Sequence, residues 1–235
     1  MGTSSDFDGG TGGAWTSYKH AASRFASHGG QKQAKRVLAR HVAALGGASA
    51  AAGSASAGVR TGQGVASFAT GLAARGLSDA LRDLGLGELV GRDRFEVLEG
   101  LLEEIAETGS DLEQVAARNA AMDVLEELYP DDAEDYEDLE AIELGPDDVA
   151  ALVQTFVSAY VFNRLLPSLA ERLARQDDQE LARRHQAELV DYVQSIVQLE
   201  LSKVNPLSVN WRGRRGREII ERLIADAYGI LEALE

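Results

Sequence analysis

Residues 149-VAALVQTFVSAYV-161 decide the fold. Val149, Leu152, Val153, Phe156, Val157, Tyr160 and Val161 recur at the 3.6-residue period of an α-helix, on a face broad enough to lie in the centre of a bundle. Gly145-Pro146 sets the start of this helix. Pro167 lacks an N–H and crowds the Asn163 carbonyl, which predicts a kink or break near residues 163–167.

The same period continues on both sides. Toward the C-terminus, Leu181, Leu189, Val193, Ile196 and Leu199 face inward on a helix that begins near Asp178 and ends at Asn205-Pro206. Ile219, Ile220, Leu223, Ile224, Ala227, Ile230, Leu231 and Leu234 form the last stripe. Toward the N-terminus, Ser110 and Glu113 match the S-x-x-E capping box before Leu112, Val115, Ala116, Met122, Leu125 and Leu128. That helix should stop at Tyr129, ahead of Pro130. Asp93 is the expected cap of a helix with Phe95, Leu98, Leu101, Leu102 and Ile105 inside and Glu96, Glu99, Glu103 and Glu107 outside. Val65, Phe68, Ala69 and Leu72 make one further stripe, and Leu77, Ala80, Leu81 and Leu84 another. Sustained apolar and polar alternation is absent, so strands are not expected in the framework. The fold class is all-α, an irregular multi-helix bundle.

Ahead of residue 65 the composition changes. Residues 46–64 are almost entirely Gly, Ala and Ser and read as a flexible linker. Before them, residues 14–45 read as a basic amphipathic helical arm. Trp15, Tyr18, Ala22 and Phe25 form its first stripe, Gly29-Gly30 interrupts, and Val37, Leu38, His41, Val42 and Leu45 form the second, flanked by Lys32, Lys35, Arg36 and Arg40. Residues 1–13, a Gly, Ser and Thr tail, are too poor in apolar side chains to fold and are expected to be disordered. Residues 65–235 make up the helical body.

Charge is divided along the chain. The net charge is −15, yet residues 1–90 hold nine Lys or Arg against five Asp or Glu. All of the acidic excess lies beyond them. Twelve acids fall between Glu126 and Asp148, and no basic residue lies between Arg118 and Arg164. Segment 126–148 reads as a solvated acidic loop, whose field favours a basic partner and disfavours direct nucleic-acid binding. The chain has no cysteine, which excludes disulfides, thiolate metal sites and cysteine nucleophiles. The start, MGTSSDFDGGTGG, has neither the basic nor the apolar region of a signal peptide, and no run of about 18 apolar residues suggests a membrane span. A cytoplasmic protein is expected.

Catalytic signatures are missing. The sequence has no G-x-x-x-x-G-K-[ST], H-E-x-x-H, G-x-S-x-G or EF-hand loop, and Gly9-Gly10-Thr11-Gly12-Gly13 follows no strand and places Trp15 where the dinucleotide fingerprint needs glycine. His20, His28, His41 and His185 lack paired ligand spacing, and His185 reads as a half-buried, hydrogen-bonded side chain. No E-x-x-H motif supports a di-metal bundle. An enzyme is not expected, nor a cofactor or metal. Asn119 and Asn163 interrupt apolar stripes, either at a polar pocket or satisfied locally.

Near the C-terminus, Trp211, Arg212, Arg214, Arg215 and Arg217 admit two readings. One is contact with a phosphate, a nucleobase or an acidic peptide, with the tryptophan exposed beside the arginines. The other is a basic helix entry that pairs with the acidic segment of the same chain. A generic helical adaptor, binding a basic partner through 126–148 or an acidic ligand through Arg212 to Arg217, is the reading that needs no family.

Several segments carry a resemblance. Met1-Gly2-Thr3-Ser4-Ser5, the Gly-rich spacer, the aromatic and basic helix, the Ala/Gly/Ser segment, 77-LSDALRDLGLGELVGR-92 and 209-VNWRGRRGREIIERLI-224 together resemble the QatB family of the bacterial Qat anti-phage defence system. The resemblance implies a defence complex with an ATPase (QatA), a QueC-like enzyme of the deazaguanine pathway (QatC) and a TatD-like nuclease (QatD). It also implies a role for Gly2 as acceptor of a 7-deazaguanine carboxylate, with Thr3 and Ser4 as recognition positions. Gly2 suits that role once Met1 is removed: its amine has no β-carbon beside it and an ordinary pKa of about 7.7 to 8.0. A glycine that merely permits methionine removal is the alternative. Myristoylation is disfavoured, because M-G-x-x-x-[ST] needs Ser or Thr where Asp6 stands.

Overall fold

The computed structural model of the protein describes residues 12–129, 136–197, 201 and 204–234. Among the described residues it is built of α-helices without strands: α1 (Gly12–His28), α2 (Gln31–Ala44), α3 (Ala48–Gly53), α4 (Ser56–Arg75), α5 (Leu77–Asp83), α6 (Arg94–Ile105), α7 (Leu112–Leu128), α8 (Tyr136–Glu140), α9 (Pro146–Leu173), α10 (Gln179–Ile196) and α11 (Arg214–Glu232). The fold is all-α, as the periodicity predicts. The chain divides into two compact units, one of Met1–Ser54, Leu165–Val197 and Ala225–Glu235, the other of Ala55–Arg164 and Gln198–Ile224. Both are discontinuous in sequence, unlike the arm, linker and body expected from composition.

In the first unit α1 and α2 pack on each other through Tyr18, Ala22, Phe25, Val37, Leu38 and Val42, all buried. Gly29 and Gly30 make the turn at φ of +57° and +85°, conformations that side-chain-bearing residues avoid. α10 closes over that turn. His185 Nδ1 lies 3.0 Å from the Ala26 carbonyl at the end of α1, and a β-carbon on Gly29 would fall 2.5 Å from the His185 ring. The histidine is thus buried and hydrogen-bonded. Tyr18 donates to or accepts from Ser168 at 2.7 Å, and burial pushes its phenol up to about 12 against the opposing effects of that bond and of Arg172.

The second unit is centred on α4. Here the linker expected over 46–64 is corrected: residues 48–53 and 56–75 are helical, and Ala57, Gly58, Val59, Thr61, Gly62 and Gly64 are buried. The glycines serve close packing. A β-carbon on Gly58 would lie 2.4 Å from the Tyr160 ring, one on Gly62 2.8 Å from Phe156, and one on Gly64 2.9 Å from Ile105. Each glycine costs about 1 kcal/mol of helix propensity, offset by the burial its missing side chain permits.

The N-termini of four helices are closed from a distance. α2, α3, α4 and α5 have Gly30, Gly47, Ala55 and Gly76 at the N-cap, and none supplies a side-chain cap. Carboxylates from later in the chain do so instead. Gly30 N–H donates to Glu188 at 3.0 Å, Ala48 N–H to Glu232 at 3.1 Å, and Ser78 N–H to Glu140 at 3.1 Å. At α4, Ala57 and Gly58 N–H donate to the two oxygens of Glu113 at 3.0 and 2.8 Å, and Tyr160 O–H adds a third bond at 2.7 Å. This arrangement gives the divided charge a structural use, since acids of the later sequence sit at the positive ends of early helices that lack their own caps.

Other expectations are corrected locally. Asp111, not Ser110, caps α7, accepting from the Glu113 and Gln114 N–H groups, because Glu113 points away to α4. Asp93 caps α6 as read. Phe95, Leu112 and Met122, placed inside by periodicity, are exposed, as is the edge of Val115. Besides the expected Ala116, Leu125 and Leu128, α7 buries Ala117, Ala120, Ala121 and Val124, since small side chains let it approach α4. The acidic segment is partly helical: α7 runs through Glu126 and Glu127, and α8 spans Tyr136–Glu140, while 130–135 lie outside the described residues. α9 continues through Pro167 without a break, with Leu165 and Leu169 buried on either side of it. α9 is long and apolar enough to cross a membrane, yet 61% of its apolar window is buried within the protein, as in a core helix.

Candidate functional site

The C-terminal basic motif folds as a latch. Trp211 is 2% exposed, and its indole N–H is shared between Thr70 Oγ1 at 2.9 Å and the Pro206 carbonyl at 3.0 Å. The Gln63 amide of α4 donates to the Trp211 carbonyl at 2.6 Å, and a β-carbon on Gly216 would fall 2.2 Å from that same oxygen. The aromatic face is therefore not available to stack on a ligand, which corrects the exposed reading. The glycine and tryptophan of the motif hold the first turn of α11 against α4.

Its arginines point outward but are largely engaged. Arg212 meets Glu104 at 3.3 Å, while Arg214 and Arg217 pair along α11 with Glu218 and Glu221, both at 2.8 Å. None of these partners belongs to segment 126–148, so the expected pairing is replaced by closer acids. Arg215 is exposed and forms no ion pair among the described residues. Asn163 donates to Asp123 at 3.0 Å and is thus satisfied locally. Partial burial pushes the Asp123 carboxyl upward against the effect of that bond. Asn119 joins no hydrogen bond that would mark a polar pocket among the described residues.

A different region gathers positive charge. On the outer side of the α1 and α2 pair lies an open cleft of about 800 Å³, lined by His20 and Arg24 of α1, Lys32, Lys35, Arg36 and Arg40 of α2, and a few small or apolar side chains. No Asp or Glu is among its lining residues. The basic stripe of α2 is legible in the sequence. The contribution of α1 is not, because only the Gly29-Gly30 turn, held by His185 and Glu188, brings Arg24 against that stripe. Among the described residues no group of three His, Asp or Glu is placed to hold a metal ion. Gly2, Thr3 and Ser4 lie outside the described residues.

Comparison with known protein families gives a match. The family model described as Qat anti-phage system associated protein QatB matches residues 46–231, from just before α3 to the last turns of α11. It includes both the glycine-rich face of α4 and the tryptophan latch, and it leaves out Gly2 and the α1–α2 cleft. No curated protein and no solved structure matches the chain.

Proposed function

Since the chain belongs to the QatB family of Qat anti-phage system associated proteins, and is thereby a component of an anti-phage defence system, we propose that it acts there without catalysis of its own, as a protein substrate. A QueC-like enzyme of the system joins a 7-deazaguanine carboxylate to the Gly2 amine. The carboxylate attacks the α-phosphorus of ATP and pyrophosphate leaves, giving an acyl adenylate; the unprotonated amine then attacks the acyl carbon, AMP leaves, and the amine loses a proton as the amide forms. Thr3 and Ser4 present the acceptor to that enzyme. The family match, together with a Met-Gly-Thr-Ser start, carries this reading. On this reading the protein works in the cytoplasm beside the ATPase, the QueC-like enzyme and the nuclease.

Co-expression with the neighbouring QueC-like protein, followed by mass spectrometry of the N-terminal peptide and a plaque assay, tests the proposal. An adduct on Gly2 is expected, lost together with phage protection in Gly2→Pro and in a chain extended before Gly2. An unmodified Gly2 in a protective system overturns it.

The body carries a surface suited to partner contact in the same system, which keeps the adaptor reading alongside. Phe95 of α6 and Leu112 and Met122 of α7 are exposed, and the same two helices also expose Glu96, Glu99, Glu103, Glu126 and Glu127. Exposed apolar side chains on helices that also expose acids fit an amphipathic helix with basic flanks. Phe95→Asp with Met122→Asp should remove capture of a Qat component while leaving the Gly2 adduct in place; unchanged capture refutes this contact.

A further inference from the structure

We propose that the α1–α2 cleft is a binding site for a compact ligand with clustered phosphates, of the nucleoside polyphosphate class. Arg24, Lys32, Lys35 and Arg36 face one concavity, and none of them forms an ion pair among the described residues. Elsewhere several arginines find carboxylates, as at Arg60 with Glu107, Arg82 with Asp79 and Arg175 with Glu171. In a chain of net charge −15, four cations on one cleft whose lining, among the described residues, holds no Asp or Glu are a local departure from the composition. Like charges at such spacing repel, and an anion between them reverses the sign of that interaction.

The shape selects among anions. A volume of about 800 Å³ falls in the range of small-molecule sites. Lys32 to Arg36 spans four residues, or roughly 6 Å of helix, enough to follow two linked phosphates. The guanidinium forks of Arg24 and Arg36 suit phosphate oxygens, and the lysines supply point charges beside them. No Phe, Tyr or Trp lines the cleft, so it lacks the stacking platform of a single-strand binding groove. The acidic remainder of the chain also disfavours a long polyanion, which a compact ligand avoids. The site is independent of any modification at Gly2.

Isothermal titration calorimetry of the full chain at low salt, with ATP, inorganic tripolyphosphate, adenosine, a poly-glutamate peptide and a single-stranded oligonucleotide, tests the assignment. ATP and tripolyphosphate should bind, adenosine should not, and raised salt should weaken the binding. Lys35→Glu with Arg36→Glu changes only exposed side chains and should lower ATP affinity by at least about tenfold, with circular dichroism and melting temperature unchanged. Arg24→Gln, on the other helix, should weaken it by about threefold or more. Lack of binding by both phosphate ligands overturns the proposal, as does unaltered affinity in the folded double variant. Tighter binding of the oligonucleotide or the peptide than of ATP overturns the compact-phosphate assignment in favour of a strand or an acidic protein segment.

Discussion

Trp211 shows how one side chain can be misread from its neighbours. Flanked by arginines it has the look of a ligand contact, yet Thr70 and Pro206 hold its N–H and the ring is buried. Sequence could not reveal this, because Thr70 lies 141 residues away. Trp211→Ala should lower stability by about 3–5 kcal/mol, measured by denaturant unfolding, whereas an exposed tryptophan would cost little. Tyr18 makes a pH prediction. Its folded pKa of about 12 lies above the ordinary value of 10.0, so the neutral phenol is favoured by folding. Its stabilising contribution is full below pH 10 and is lost as pH rises toward 12. The melting temperature should therefore fall across that interval, and Tyr18→Phe should flatten the fall. An equally steep fall in the variant would assign it to other groups, such as Tyr129, which burial also raises.

At the scale of elements, periodicity identified the helices but not always their inner faces. α6 and α7 place Phe95, Leu112 and Met122 outward because α7 packs through alanines, which a count of large apolar residues passes over. Phe95→Ser should change stability by less than about 0.5 kcal/mol, while Leu101→Ala, on the buried face, should cost about 2–5 kcal/mol. Both values come from urea midpoints at constant slope. The caps were harder to see. Glu113 fits a local capping box in sequence, but its carboxylate serves α4, and α4 itself was hidden in a stretch whose Gly, Ala and Ser composition is that of a linker. Glu113→Ala should cost about 2 kcal/mol, more than a surface glutamate, because two backbone N–H groups and the Tyr160 hydroxyl lose their acceptor together.

For the molecule as a whole, fold class and the basic stripe of α2 were legible, because each is written in a single helical period. The two-unit division and the cleft were not, since both depend on which distant segments meet. Hydrogen exchange should show slow amides from Ala57 to Leu72, where composition alone would put fast ones; exchange there as rapid as in an unstructured peptide would refute the helix. The remote caps also bear on how the chain is made. Helices α2 to α5 leave the ribosome first, but Glu113, Glu140, Glu188 and Glu232 follow 55 to 184 residues later. Early helices of this length and glycine content are marginal alone. The nascent chain therefore stays uncommitted through most of its synthesis, with loop-closure entropy to overcome before either unit closes.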